Sequence, residues 1–226
     1  MPPSKSEREL LKTLYRLSHE GTDAHTSEIA ARLHLAPGTV TAGVKRLAAR
    51  ELVDYRPYRG VELTEVGRVL ALAVIRRHRI VERLLADVLG YSWQDADRLS
   101  VTFEHQIPQE VEDRIFAILG HPLTCPHGFP IPEPQSSDLP RPQRLTDLAQ
   151  GQSAVVALPG GMDPDAVIFL ETLGVRPGVE IELRERQPFS GPLVVNVNGI
   201  DHTVGEGLAD RIFAIVSPQK RREASA

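Results

Sequence analysis

The amino-acid sequence predicts a mainly α-helical chain with a second, small β domain toward its carboxyl end. Apolar residues recur at helical spacing as far as Leu119, and the pattern turns to short alternating segments after Leu145. Between the two regimes lie seven prolines within residues 122–142, with Ser136 and Ser137. Proline fixes φ and removes a backbone donor, so this segment reads as an extended linker.

Residues 5–19 place Leu10, Leu11, Leu14 and Leu17 on one helical face. Residues 26–33 open on hydroxyl cap candidates and carry Ile29, Ala30 and Leu33 inward. A tight turn at 34–38 leads to a helix over 39–50 with Val40, Val44 and Leu47 facing the core, and residues 52–64 form a hairpin pattern around Pro57 and Gly60. A long helix is expected from about Glu65 to Leu89. Its run Val69–Ile75 is too continuous for a half-solvated helix and implies burial all round or packing on a partner. Two further helices are expected near 92–103 and 109–119. Later, 154–158, 179–183, 193–197 and 200–204 read as strands, separated by turns at 159–161, 176–178 and Asn198-Gly199. Residues 205–215 read as a closing helix or strand, and the whole as a small β-barrel.

The 226 residues, 41% apolar and 25% charged, fit globular domains rather than a disordered chain. One cysteine, Cys125, excludes an intrachain disulfide and a Cys₂His₂ zinc cage. No apolar run approaches the ~20 residues of a membrane span, and charges at Lys5, Glu7, Arg8 and Glu9 argue against a signal peptide. The expectation is a cytoplasmic protein without a membrane partner. The net charge of −4 hides an asymmetry: residues 1–83 carry 15 Lys/Arg against 10 Asp/Glu, and the remainder 11 against 20. Polyanion binding needs local positive charge, so it is sought in the amino-terminal third.

Helix, turn, helix and hairpin in that order are a winged helix-turn-helix, which sets its second helix in the major groove and its hairpin tip on the flanking backbone. The residues expected to meet double-stranded DNA are Ser27, Thr39, Thr41, Lys45 and Arg46, with Arg56, Tyr58 and Arg59 in the wing. Ala36, Gly38 and Ala42 offer little to read base edges, so phosphate contacts and shape readout carry most of the recognition.

His78 and Glu82 stand four apart on the long helix and project from one face. Glu104 and His105 close the next helix, with Asp97 earlier on it. Imidazole with carboxylate suits Mn²⁺, Fe²⁺, Zn²⁺ or Co²⁺. Cys125 and His127 stand two apart in the proline-rich segment and are a weaker candidate pair for metal. No Gly-rich phosphate loop, Gly-x-Ser-x-Gly elbow or His-Glu-x-x-His motif is present.

The segments 78–85, Phe103-Glu-His105, Glu110-Val-Glu112 and 126–132, with 9–17 near the start, resemble the diphtheria toxin repressor family of metal-dependent transcriptional regulators. Residues 145–148, 174–178 and 191–193 resemble the SH3-like FeoA domain appended to many members. The resemblance implies a regulatory metal site at Glu9, Glu104, His105 and Val101, and a second at His78, Glu82 and Asp97, where the family has histidine. Iron-type members carry Met and Cys at the Glu9 and Val101 positions, and manganese-type members carry carboxylates. Glu9 with an inert Val101, able to offer only its backbone carbonyl, therefore favours Mn²⁺ over Fe²⁺. In the SH3-like domain, Asp163 or Asp165 is a weak candidate for an accessory ligand.

The expected organisation is a DNA-binding domain at 1–73, a helical metal-binding and dimerisation domain at 74–135, a linker at 136–143 and the SH3-like domain at 144–226. The expected function is that of a homodimeric, non-enzymatic, metal-dependent repressor of metal-uptake genes. The rival readings are a winged-helix regulator sensing a small organic ligand, a metallohydrolase, and an SH3-like interaction scaffold.

Overall fold

The computed structural model describes residues 2–21, 24–57, 59–159 and 162–216. They fall into two compact units, Met1–Cys125 with Pro130–Arg141, and Pro126–Phe129 with Pro142–Ala226.

The first unit opens with α1 (Lys5–His19), started by a reciprocal cap: the Glu7 N–H donates to the Ser4 hydroxyl, and the Ser4 N–H donates to the Glu7 carboxylate. Leu10, Leu11, Leu14 and Leu17 are all buried, as their spacing requires. α2 (Thr26–Leu33) ends on His34, which takes a left-handed conformation at φ 53° and turns the chain sharply into α3 (Pro37–Ala49). Proline at the start of α3 costs no hydrogen bond, because the first N–H groups of a helix lack intrahelical partners. The close approach of α3 to α1 depends on Gly43, where a Cβ would lie 2.5 Å from Leu10 Cδ1. Strands β1 (Val53–Arg56) and β2 (Gly60–Leu63) pair antiparallel, Val53 opposite Leu63 and Arg56 opposite Gly60. Both strands pack on the same core as α1, α2 and α3 through Val53, Val61 and Leu63.

Thr64 caps α4 (Glu65–Arg83) by accepting the Gly67 N–H at 3.1 Å. Ala71, Leu72, Val74 and Ile75 of the apolar run are buried, Val69 and Leu70 are half-buried and Ala73 is exposed, so the run is not buried all round within one chain. The single helix expected as far as Leu89 instead ends at Arg83 and continues as a π-helical turn, Leu84–Val88. Leu85 in that turn packs with Val81 and with Ala96 of α5 (Trp93–Phe103). α6 (Gln109–Ile118) follows.

The proline-rich segment departs from the linker expected of it. Its part in the first unit is extended but packed, with Ile131 buried. Prolines lack the N–H groups that a helix or ladder would offer to neighbouring carbonyls, and arginines of α4 donate to several of these carbonyls instead. Arg83 Nε donates to Thr124 O at 2.7 Å, Arg76 Nη1 donates to Pro132 O at 2.6 Å, and Arg79 donates to Pro130 O.

The second unit is built on β3 (Gln143–Arg144), β4 (Ser153–Ala157), β5 (Glu180–Arg186), β6 (Leu193–Val197), β7 (Ile200–Val204) and β8 (Phe213–Ile215). These form a six-stranded antiparallel sheet in the order β3-β8-β4-β5-β6-β7. Leu193, Val195 and Val197 alternate into the core, opposite Ile181 and Leu183 of β5. Asn198-Gly199 turns the β6–β7 hairpin with both residues at positive φ, as a two-residue loop requires. Residues 205–215 form both elements expected there as alternatives, a short helix α8 (Glu206–Ala209) and strand β8. Helix α7 (Pro164–Thr172) was not expected; Asp163 caps it by accepting the Asp165 N–H at 2.9 Å. This commits one carboxylate considered as an accessory ligand to a helix terminus. Gly160 and Gly161 of the expected 159–161 turn lie outside the described residues. No helix among the described residues is long and apolar enough to cross a membrane.

Candidate metal centre and nucleic-acid interface

Two groups of metal-ligating side chains form within the first unit, and the imidazole of His78 lies between them. Glu9, Glu104 and His105 bring their donor atoms within 4.8 Å of one another, as do His78, Glu82 and Asp97.

The first group joins α1 to the end of α5. His105 Nε2 is hydrogen-bonded to Glu9 Oε1 and lies 3.3 Å from Glu104 Oε1. Arg8 orients this ring, its Nε donating to His105 Nδ1 at 3.3 Å and its Nη2 to the His105 carbonyl at 3.2 Å. With Nδ1 accepting, the ring's proton belongs on Nε2, facing Glu9. Glu104 is fully buried, and Lys12, 4% exposed, donates to its Oε1 while standing 3.0 Å from Glu9 Oε1.

The second group lies on α4 and α5. One helical turn separates His78 from Glu82, with Nε2 3.7 Å from Glu82 Oε1 and 3.0 Å from Asp97 Oδ1. On the other side of the ring, Nδ1 lies 2.7 Å from Glu104 Oε2. That approach is not aligned as a hydrogen bond, and both atoms are buried without any other partner among the described residues. Burial alone depresses the imidazole's pKa, but the carboxylates of Asp97, Glu104 and Glu82 outweigh it and raise it. Burial works the other way on Glu104, and His78 and Lys12 overcome it to hold its carboxyl well below the usual range.

A buried imidazole nitrogen and a buried carboxylate oxygen with no hydrogen-bond partner beyond their own 2.7 Å approach, beside further carboxylates, are donors suited to a divalent cation of intermediate hardness. The donor chemistry of both groups therefore fits Mn²⁺ or Fe²⁺. Val101 lies on α5 with its side chain 43% exposed and is in neither group of side-chain donors. Two neighbours of the first group were absent from the expected set, Lys12 and Arg8. Their positions on α1, three residues after Glu9 and one before it, were the only available signal.

On the surface of the winged helix-turn-helix, Ser27, Thr39, Lys45, Arg46, Arg56 and Arg59 are exposed. Thr41 is half-buried, and its hydroxyl donates to Pro37 O at 2.9 Å, one turn back in α3. Tyr58 lies outside the described residues. Lys45 and Arg46 share α3 with exposed Thr39, opposite the buried Val40, Val44 and Leu47.

Comparison with known proteins accounts for this architecture. The profile described as "Iron dependent repressor, N-terminal DNA binding domain" matches residues 4–61. "Iron dependent repressor, metal binding and dimerisation domain" matches 64–133, and "FeoA domain" matches 143–216. The iron-dependent repressor IdeR of Mycobacterium tuberculosis is 35% identical over 199 residues, covering 82% of this chain and 86% of the relative. The chain belongs to the iron-dependent repressor family. Within that family it is also 31% identical over 213 residues to the diphtheria toxin repressor of Corynebacterium diphtheriae, covering 89% of this chain and 93% of that one. A solved manganese-dependent transcriptional repressor in complex with manganese superposes with a TM-score of 0.77 at 28% identity, covering 93% and 99% of the two chains. The crystal structure of ScaR with bound Zn²⁺ matches with a TM-score of 0.73 at 26% identity, covering 95% and 100%. The family is thus one of transcriptional repressors, and its named relatives divide between iron and manganese.

Proposed function

We propose that this chain is a homodimeric, cytoplasmic repressor of metal-uptake genes whose operator affinity depends on Mn²⁺, with Fe²⁺ as the second candidate. One observation carries the reading. Glu9, on the first helix of the DNA-binding domain, meets Glu104 and His105, which end a helix of the dimerisation domain.

The residues proposed to hold metal are Glu9, Glu104 and His105, with the Val101 carbonyl, and in the second site His78, Glu82 and Asp97. A bound divalent ion supplies two positive charges that two carboxylates and an imidazole can share. Glu9 contributes the α1 side of this junction and Glu104 with His105 the α5 side, so α1 is held in one orientation when all three share a cation. A fixed α1 fixes the packed α3 and wing, whose Thr39, Lys45, Arg46, Arg56 and Arg59 then meet DNA phosphates as one surface. Ser27, Thr41 and Tyr58 complete the proposed DNA contacts. The coupling is reciprocal: an arrangement that binds DNA better also binds the ion better. Carboxylate oxygen in place of softer thioether or thiolate ligands supports manganese over iron.

The test is fluorescence anisotropy of labelled promoter duplex from a metal-transporter gene, with the full chain and a series of Mn²⁺, Fe²⁺ and Zn²⁺. Saturable binding that requires metal and is lost in His105→Ala and Glu104→Gln is the expected result. Equally tight binding without metal, or no saturable metal uptake, overturns it, the second outcome favouring a small organic effector.

A further inference from the structure

We propose that Lys12 is a tethered cation that occupies the Glu9–Glu104–His105 site, so that this site binds metal later and more weakly than His78–Glu82–Asp97. The inference rests on the proposed metal-responsive reading and concerns how this chain tunes it. Lys12 is 4% exposed, though lysine is almost never fully buried unless paired. It is paired with the same two carboxylates that reach toward His105: its ammonium hydrogen-bonds Glu104 Oε1 and stands 3.0 Å from Glu9 Oε1. These two oxygens are also the ones nearest His105 Nε2. The ammonium therefore sits where a shared cation would sit.

Lys12 separates the two sites: its ammonium stands against both carboxylates of the Glu9–Glu104–His105 group, whereas Glu82 and Asp97 face the imidazole of His78. A divalent ion entering the first group must displace this buried ammonium from two carboxylates, and removing one member of a buried ion pair is costly. In return, Lys12 holds α1 against the end of α5 before any metal arrives, setting a basal link that metal then replaces.

Counting free hexaaqua Mn²⁺ by its EPR signal during titration of the full chain tests this. The wild type should take up Mn²⁺ in two steps, and Asp97→Asn should remove or weaken the tighter one. Lys12→Met should tighten the weaker step by about tenfold or more, leave the tighter step unchanged, and lower the thermal midpoint of the metal-free chain in a way that Mn²⁺ reverses. Lys12→Gln keeps hydrogen-bond donors without the charge and gives the same reading should Lys12→Met not fold. An unchanged weaker step in whichever variant folds overturns the proposal while leaving the metal-responsive reading standing. No saturable Mn²⁺ uptake by wild type or variant overturns that underlying reading as well.

Discussion

The Nδ1 of His78 lies 2.7 Å from Oε2 of Glu104, while its Nε2 faces Asp97 at 3.0 Å, so one imidazole touches both clusters of metal-ligating groups. Each edge of the ring is committed to a different carboxylate, and movement or loss of the ring disturbs both. His78→Ala is therefore expected to weaken Mn²⁺ uptake at both steps, by about 10–100-fold at the step where the imidazole acts only by orienting Glu104. Asp97→Asn should affect chiefly one. Two-step Mn²⁺ titration of the two variants side by side checks this, and a His78→Ala effect confined to one step would show the clusters to be independent.

The proposed DNA contacts are expected to read phosphate more than sequence, because α3 exposes Gly38, Thr39 and Ala42 beside Lys45 and Arg46. Replacing Lys45, Arg46, Arg56 or Arg59 with alanine should lower affinity for specific and unrelated duplexes to a similar degree. Each loss should reduce the slope of log affinity against log salt by about 0.9, one phosphate contact's worth of released counterion. Thr39→Val is expected to leave the slope unchanged. Anisotropy titrations at four or five salt concentrations with metal saturating give both numbers.

Glu112 binds two arginines of α4: its Oε1 accepts from Arg76 Nε and its Oε2 from Arg77 Nε, both at 3.0 Å. Arg76 is itself buried, with its guanidinium 4.3 Å from the centroid of Phe116. Glu112→Ala leaves Arg76 as a buried charge without its carboxylate and should cost about 3–5 kcal/mol of stability. Glu112→Gln, which retains a carbonyl acceptor, should cost less. Urea denaturation of the metal-free chain measures both, and equal losses in the two variants would show that packing rather than charge sets the cost.

The parts of this molecule legible in sequence were those whose causes are local. Leu10, Leu11, Leu14 and Leu17 announce the buried face of α1, and Asn198-Gly199 announces its hairpin, because the determinants lie within a few residues of one another. His78 and Glu82 are legible as a pair for the same reason. Glu9 and His105, however, stand 96 residues apart, and only a family resemblance brought them together before the fold did. Lys12 carried no local mark: a lysine three residues after a glutamate on an amphipathic helix looks like a solvated surface pair. Helix α7 is hard to see in the sequence because residues 166–170 are continuously apolar, which conceals the helical period. The proline-rich segment looks like a linker in sequence because the groups that anchor it, Arg76, Arg79 and Arg83, lie far away on α4.

His19 is expected to give the fold a pH dependence separate from that of the proposed metal ligands. Its Nε2 meets the Leu139 carbonyl at 3.1 Å and its ring stacks on Tyr15 with centroids 4.6 Å apart. Burial lowers its pKa from 6.5; Asp138 nearby pulls it upward and Arg141 adds to the lowering, and the net shift is downward. A histidine with a lowered folded pKa binds fewer protons in the native than in the unfolded chain. Its contribution is therefore fully present above pH 6.5 and is lost as the pH falls from there through the folded value. His19→Phe keeps the stacking and removes the titration, at the constant cost of the hydrogen bond to Leu139. Denaturation curves of wild type and variant in chelator-treated buffer should converge as the pH drops below 6.5, the wild type losing more of its advantage at each step. Parallel curves across that range would place the pH dependence on other groups.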